Sequence, residues 1–283
     1  MNVICKSEAE PALDFPKFSV LMAVYINDDP AYFARALESI VKQTVCPDEV
    51  VIIKNGPLTD EHEKWLAFYG RGNNIQQISF SENRGLAVAL NKGVTYCSNE
   101  LIARMDADDI SCSNRFELQI EKFRQNPELD VVGGLISEFL YSEDQESAKR
   151  YVKESHESIV GSSKFYCPMN HVTVMFRRSA VLLAGNYQDF RGVEDYPLWV
   201  SMIMVGCKFY NIQEVLVKVR VAGLNNRRAG FEYARMEFNV MKYFYLVRYY
   251  SLPMFFLMSI SRFSVRVFGS FFRGVVYRLT RSK

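Results

Sequence analysis

Apolar runs of strand length alternate with helical patterns over the N-terminal part of this sequence. Strands are predicted at Phe18 to Tyr25, Glu49 to Ile53, Ile75 to Phe80 and Leu101 to Met105, with helices between them. That order is typical of an α/β fold, in which a mostly parallel central sheet carries helices on its faces. Ligands bind to such sheets beyond the carboxyl ends of the strands, so the loops at those ends form the candidate site.

Polar residues follow each of these predicted strands. Asn27 follows the first strand, Asn55 the second, Arg84 the third and Asp106 to Asp109 the fourth. Because the carboxyl ends of parallel strands meet at one edge of a sheet, these side chains are expected to converge. A single ligand site would then account for four polar loops.

Three carboxylates, those of Asp106, Asp108 and Asp109, follow the fourth strand within four residues. Carboxylates this close repel one another and lose hydration at a strand end, so the arrangement favours a hard divalent cation. Such a cation usually takes further ligands from water and substrate phosphates, which points to a diphosphate-containing donor. The alternative is a solvated turn in which Asp109 or Ser111 caps a helix over Arg115 to Phe123.

These motifs together resemble the family 2 inverting glycosyltransferases, whose nucleotide-sugar-binding domain has the GT-A fold. The similarity spans residues 18–220. The matching segments are Val20 to Tyr25, the turn at Gly56, Asn83 to Leu86, Arg104 to Asp109 and Gly192 to Trp199. Within the family, the chain is most similar to bacterial enzymes that extend a lipid-linked sugar diphosphate during O-antigen or capsule synthesis.

The resemblance implies a role for each candidate site residue. Asp195, next to Glu194, would be the general base that accepts the acceptor proton. Asp108 would hold Mn²⁺ or Mg²⁺, and Asp106 would bind the ribose or the metal. The other donor-binding residues would be Asn27, Asn55, Arg84, Arg104 and His171. The alternatives are an acidic helix N-terminus for Glu194 and Asp195, and a structural role for His171.

The turn after the second strand departs from the family pattern. Many members carry an acidic pair there, and an Asp of that pair accepts the uracil imide N–H, whereas this chain has Lys54, Asn55 and Gly56. The Asn55 carbonyl can accept the same hydrogen bond without charge. Asn55 can equally be a turn residue in a left-handed backbone conformation with no ligand, so both interpretations stay open.

Charge is unevenly distributed along the chain, although the net charge is only +2. No acidic residue follows Glu237, and eight basic residues are interleaved there with aromatic and aliphatic side chains. We therefore divide the chain into an N-terminal extension (1–17), a GT-A domain (18–225) and a C-terminal region (226–283) of basic amphipathic helices. This region is predicted to lie on an anionic membrane surface. The alternative is a helical hairpin that packs its aromatic residues on the catalytic domain or on a second subunit.

Other binding classes are disfavoured by the composition. The six cysteines include no Cys-x-x-Cys pair, so no zinc site is indicated. The basic residues of the tail lie among bulky apolar groups rather than in a polar stripe, so nucleic-acid binding is not expected. Residues 1–16 contain no apolar core of signal-peptide length. Together with these features, the family resemblance implies a peripheral enzyme at the cytoplasmic face of the inner membrane.

The predicted activity is metal-dependent, inverting transfer of a hexose. A UDP-sugar would donate galactose or glucose to an N-acetylhexosamine on undecaprenyl diphosphate, and the resemblance suggests a β1,3 linkage. One alternative is a rhamnosyltransferase that uses dTDP-rhamnose. Two others come from different classes: a sugar-nucleotide pyrophosphorylase, which should carry a Gly-rich phosphate loop that is missing after Tyr25, and a non-catalytic nucleotide-sugar-binding module.

Overall fold

The computed structural model describes residues 16–221 and 230–267. The strands are β1 (Phe18–Val24), β2 (Glu49–Lys54), β3 (Ile75–Ser79), β4 (Leu101–Met105), β5 (Ile110–Ser111), β6 (Val131–Phe139), β7 (Glu146–Arg150), β8 (Met175–Arg177) and β9 (Phe209–Arg220). The helices are α1 (Pro30–Val41), α2 (Asp60–Tyr69), α3 (Leu86–Tyr96), α4 (Arg115–Gln125), α5 (His156–Ser162), α6 (Arg178–Leu183), α7 (Asp195–Met204), α8 (Phe231–Leu246) and α9 (Leu252–Val267). A 3₁₀ turn spans His171–Thr173.

The strands form one mixed sheet in the order β3-β2-β1-β4-β8-β6-β9-β5, with β7 beside β6. Strands β3, β2, β1 and β4 are mutually parallel, as predicted. Beyond β4, the strand β8 is antiparallel to both of its neighbours, and only β6 and β9 are parallel within the described residues. The expectation of a mostly parallel sheet therefore applies to the N-terminal half alone. Parallel neighbours need long crossover connections, whereas β7 follows β6 through a short turn and pairs antiparallel.

Helices cover both faces of this sheet. Along β1, Val20 and Met22 pack with α1, α2 and α4, whereas Leu21 between them packs with α3 and α7 on the other face. Alternation is expected because successive side chains of a strand point to opposite faces. Helix α3 approaches the sheet closely at Gly93, where an added Cβ would lie 2.3 Å from Leu21 Cδ1. Strands β1, β2 and β4 are thus buried on both faces, whereas β3 at the edge of the sheet is more exposed.

Helices α8 and α9 form an antiparallel hairpin that packs on the catalytic domain. Val240, Met241 and Phe244 of α8 form a buried cluster with Tyr196 and Val200 of α7. The Tyr196 and Phe244 rings meet edge to face at 4.8 Å between centroids. As far as residue 267, the C-terminal region therefore forms the helical hairpin packed on the catalytic domain that was the alternative expectation. In the described ranges, no helix has the length and apolarity needed to cross a bilayer.

Parts of the predicted domain division lie outside the described residues. These parts are most of the N-terminal extension, the boundary between residues 225 and 226, and the basic residues Arg273, Arg278, Arg281 and Lys283. The division into 1–17, 18–225 and 226–283 stays a prediction.

Candidate active site

A cavity of about 850 Å³ opens at the carboxyl ends of β1 and β4. Seven of the predicted site residues line it, namely Asn55, Arg104, Asp106, Asp108, His171, Glu194 and Asp195. Asn27 is exposed outside the lining, and the neighbouring Asp28 lines the cavity instead. Arg84 is also outside, with its guanidinium carbon 5.7 Å from the centroid of the Phe80 ring. The sequence motifs, although far apart in the chain, thus meet in one cavity.

The acidic cluster forms the floor of this cavity. Asp106 makes a salt bridge with the buried Arg104, and Asp109 Oδ1 accepts the Arg220 N–H at 2.9 Å. Burial, followed by the charge of Asp106, raises the pKa of Asp108 to about 6. Burial and the charges of Asp108 and Asp106 likewise raise the pKa of Asp109 well above its ordinary value. A cation would relieve this repulsion.

Neither Asp109 nor Ser111 caps helix α4, so the helix-capping alternative is wrong. Helix α4 has Asn114 as its N-cap residue, and no side-chain hydrogen bond is made there. Asp109 is only 2% exposed and accepts a hydrogen bond from the backbone N–H of Arg220, the last residue of β9. Ser111 instead lies in β5 and contacts Gln43. The acidic cluster therefore belongs to the cavity rather than to the helix.

A buried arginine supports the strand that carries this cluster. Arg115 donates from Nη2 to the Arg104 carbonyl at 2.8 Å and from Nε to Gln119 Oε1 at 3.0 Å. Gln119 in turn donates to the carbonyls of Val132 and Thr173. Burial, and then the charge of Arg104, lowers the pKa of Arg115 to about 9. Sequence reasoning treated Arg115 only as the start of a helix, yet it holds the end of β4 in place.

Glu194 and Asp195 lie at the start of α7 and face the same cavity. Asp195 Oδ2 accepts a hydrogen bond from the Cys167 thiol at 3.2 Å. Glu194 is 7% exposed, and its Oε2 is buried without a hydrogen-bond partner. Burial, followed by the charge of Asp195, raises the pKa of Glu194 to about 7. Two adjacent acids with different environments can carry different protonation states, as acid–base chemistry requires.

His171 is held by its protein surroundings. Its Nε2 lies 2.8 Å from the Tyr187 hydroxyl, and its ring meets Trp199 edge to face at 5.8 Å. Burial, and then the charge of Arg104, lowers the pKa of His171 well below its ordinary value. His171 is therefore a neutral imidazole on the cavity wall. Trp199 is fully buried and belongs to the core.

Asn55 joins two loops at the edge of the cavity. Its Oδ1 accepts the Arg84 N–H at 2.9 Å, and its Nδ2 donates to Asn83 Oδ1 at 3.0 Å. The left-handed backbone conformation falls on Gly56, with φ of 99°, where an added Cβ would meet the Asn83 nitrogen at 3.0 Å. Asn55 thus ties the loops after β2 and β3 together, and its carbonyl retains a second lone pair toward the cavity it lines.

Part of the cavity wall comes from residues outside the sequence motifs. Arg220, at the end of β9, stacks on Tyr32 with its guanidinium carbon 3.5 Å from the ring centroid. Other lining side chains belong to β7 and to the C-terminal hairpin; they include Arg150, Glu232, Tyr233, Met236, Glu237, Arg262 and Arg266. The only hint in the sequence was that Glu237 is the last acidic residue of the chain.

The carboxylates suit a partly protein-held cation. In the described part of the chain, no three His, Cys, Asp or Glu side chains are arranged as a metal cage. Asp106 and Asp108 nevertheless present oxygen ligands to the cavity, and hard cations accept one or two carboxylates together with substrate phosphates. The donor set therefore fits Mg²⁺ or Mn²⁺ bound together with a diphosphate.

Comparison with known proteins identifies the family of this chain. The model of the family described as "Glycosyl transferase family 2" matches residues 19–182. An Escherichia coli UDP-Gal:alpha-D-GlcNAc-diphosphoundecaprenol beta-1,3-galactosyltransferase is 37% identical over 266 residues, which cover 94% of this chain and 96% of the relative. The Erwinia amylovora amylovoran biosynthesis glycosyltransferase AmsE is 33% identical, with 78% of this chain and 82% of the relative covered.

A solved structure supports the same assignment at the level of the fold. A mannosyltransferase from Pyrobaculum calidifontis, in complex with GDP-Man and Mn²⁺, superimposes with a TM-score of 0.62 at 16% identity. The match covers 89% of this chain and 70% of that one. The GT-A fold expected from the motifs is thus confirmed, with a mixed rather than a mostly parallel sheet. The chain belongs to glycosyltransferase family 2.

Proposed function

We propose that this chain transfers galactose from UDP-galactose to N-acetylglucosamine carried on undecaprenyl diphosphate, forming a β1,3 linkage with inversion. The observation that carries the proposal is the convergence of the acidic cluster and the Glu194–Asp195 pair in one cavity. A diphosphate-binding group and a general base are the two elements that inverting transfer needs. The 37% identical relative, which acts on these substrates according to its name, favours galactose over glucose.

Asp195 is the residue proposed to accept the proton of the attacking hydroxyl. It reaches the cavity from the first turn of α7, and the Cys167 thiol at 3.2 Å leaves the carboxylate able to accept further hydrogen bonds. Its neighbour Glu194, with a pKa of about 7, is protonated in a large share of molecules at neutral pH. Asp195 is therefore proposed as the base, next to a Glu194 that is about half protonated at neutral pH.

The donor diphosphate would lie over the acidic cluster. Asp106 and Asp108 would hold Mn²⁺ or Mg²⁺, which when bound would act as a Lewis acid toward the departing diphosphate. The Mn²⁺ in the Pyrobaculum complex supports a divalent ion without specifying which one. Arg104, whose Nε and Nη1 are buried without partners, is placed to donate hydrogen bonds to the same leaving group.

The enzyme is further proposed to bind the cytoplasmic face of the inner membrane peripherally through its C-terminal hairpin. Several apolar side chains of α8 and α9 are exposed: Phe231, Phe238, Leu246, Leu252, Phe256, Leu257, Ile260 and Phe263. Exposed bulky side chains next to basic residues are typical of interfacial helices. A nucleic-acid partner is not proposed, because these apolar groups would face the polyanion.

A donor screen with a synthetic lipid-diphosphate N-acetylglucosamine acceptor tests the activity. We expect transfer from UDP-galactose in the presence of Mn²⁺ or Mg²⁺, with a β-anomeric product by NMR. Efficient transfer from dTDP-rhamnose instead would support the rhamnosyltransferase alternative. Formation of a sugar nucleotide from a sugar phosphate and UTP would support the pyrophosphorylase, and binding of donor without transfer to any acceptor would support a non-catalytic module.

A further inference from the structure

Two arginines of α9 converge on one glutamate of α8 at the side of the cavity formed by the hairpin. Arg266 donates to Glu237 from Nε at 2.9 Å and from Nη2 at 3.0 Å, and Arg262 donates from Nη1 at 2.9 Å. All three side chains line the cavity. A single buried carboxylate thus faces two guanidinium groups, and these three side chains together carry one net positive charge.

This charge exceeds what is needed to clamp the two helices. One glutamate is neutralised by one arginine, and burying a second guanidinium is costly unless an anion compensates for it. Arg262 Nε is also buried without a hydrogen-bond partner. Arg150 of β7 and Glu232 of α8 line the same cavity, and their opposite charges leave the excess positive charge of the cluster uncancelled. The hairpin side of the cavity therefore resembles a preformed anion site.

The cluster lies next to the proposed base. The guanidinium carbon of Arg262 is 5.5 Å from the ring centroid of Tyr196, which directly follows Asp195 in α7. Arg262 Nη2 also donates to the Phe165 carbonyl at 2.9 Å, two residues before the Cys167 that contacts Asp195. An anion bound at this cluster would lie beside the position of the acceptor, on the hairpin side of the cavity.

We propose that Arg262 and Arg266 form the subsite for the diphosphate of the acceptor. The inference rests on the proposed function, in which a sugar hydroxyl faces Asp195 while the diphosphate leaves from another carbon of the same ring. The diphosphate then lies about one sugar ring away from the base. Phe231 and Phe263, 68% and 41% exposed, meet edge to face on the same two helices and offer an apolar path for the lipid.

The test measures acceptor KM for Arg266→Gln and Arg262→Gln with three detergent-dispersed acceptors. These are N-acetylglucosamine linked to a long alkyl chain through a diphosphate, to a methyl group through a diphosphate, and to a long alkyl chain without phosphate. Arg266→Gln leaves Glu237 paired with Arg262, so the hairpin should stay folded. Arg235→Gln, an exposed residue of α8, is the matched control.

We expect each cavity variant to raise KM about tenfold or more for both diphosphate acceptors, the effect of losing charge-assisted hydrogen bonds. The phosphate-free acceptor, the UDP-galactose KM and the control variant should change less than about twofold. Arg266→Lys should restore part of the affinity. If the arginines contacted only the lipid, the KM of the methyl diphosphate acceptor would not change. Comparing the methyl and long-alkyl diphosphate acceptors therefore separates recognition of the diphosphate from recognition of the alkyl chain.

Two results would overturn this subsite. Equal KM increases for all three acceptors, or a loss of UDP affinity together with a lower melting temperature, would make the arginines a structural clamp. Unchanged KM for the diphosphate acceptors would remove the subsite while leaving the proposed function intact. Absence of transfer by the unaltered enzyme to any of the three acceptors would instead refute the proposed function, and the subsite with it.

Discussion

Glu194→Gln should remove a pH-dependent instability from the fold. The Glu194 carboxyl is buried in the cavity wall, and burial followed by the charge of Asp195 raises its pKa from the ordinary 4.5 to about 7. An acid with a raised pKa in the folded state stabilises the protein fully below pH 4.5, and that contribution is lost as the pH rises to 7. Glutamine has the shape of the neutral acid and cannot ionise.

The size of the effect follows from the two pKa values. Moving the pKa of a fully buried group from 4.5 to about 7 corresponds to about 3 kcal/mol between the two protonation states. We compare the free energy of unfolding of Glu194→Gln with that of the unaltered protein at each pH. Between pH 4.5 and pH 8, this difference should change by up to about 3 kcal/mol in favour of the variant. Asp195→Asn removes a neighbouring negative charge that raises the pKa of Glu194. In that variant, the loss of stability with rising pH should therefore be smaller and should end at a lower pH.

Urea unfolding at several pH values between 4.5 and 8, followed by circular dichroism, measures these differences without donor or metal. Carboxylates other than Glu194 titrate in both proteins, so the difference between the two curves isolates this residue. Parallel stability curves for the two proteins would show that Glu194 is not held neutral. The reasoning about the acid pair would then be wrong.

Four further results are expected. Asp195→Asn should lower kcat about 10²- to 10⁴-fold while the UDP Kd stays within about twofold, because a general base acts mainly in the transition state. Asp108→Ala should abolish turnover that depends on Mn²⁺ or Mg²⁺ and weaken UDP binding in the presence of metal. Asn55→Ala should cost about 1–3 kcal/mol in urea unfolding, because two inter-loop hydrogen bonds are lost. Leu257→Ser combined with Ile260→Ser should weaken sedimentation with anionic vesicles at unchanged stability, because both side chains are exposed.

Each of these has a contrary outcome. Undiminished activity in excess chelator would exclude the metal, and equal loss of donor affinity in Asp195→Asn would make that residue a donor ligand. Unchanged unfolding of Asn55→Ala together with a weaker UDP affinity would favour direct recognition of the base. Vesicle binding that survives the double α9 variant would move the membrane contact elsewhere on the molecule.

Local sequence patterns were sufficient for the N-terminal half of the fold. Helix α2 (Asp60–Tyr69) is one of the helices predicted between the strands; Thr59 caps it, and its buried positions recur at helical spacing. The predicted residues after β2 and β4 reach one cavity because parallel strands place their carboxyl ends at one edge, whereas Asn27 and Arg84 lie outside it. Here the local signals and the tertiary arrangement agree.

The second half depends on contacts that no local pattern encodes. The strands β6 and β9 pair in parallel although β7, α5, β8, α6 and α7 all lie between them in sequence. Strand β9 also pairs with β5, and Arg220 at its end donates its backbone N–H to Asp109. Arg115 was predicted only to begin a helix, yet its buried guanidinium donates to the Arg104 carbonyl of β4 and to the Val174 carbonyl that follows the 3₁₀ turn. Such roles become visible only when the strand order is known.

The C-terminal region shows why a count of charges was insufficient. Of the basic residues after Glu237 that the structure describes, Lys242 and Arg248 are exposed, whereas Arg262 and Arg266 bind Glu237 on the cavity wall. Each basic residue near an anionic surface contributes about 1 kcal/mol, so the two arginines of α9 should be left out of that sum. Membrane affinity of this hairpin should then depend more on its exposed apolar side chains, and less on salt, than the sequence alone implied.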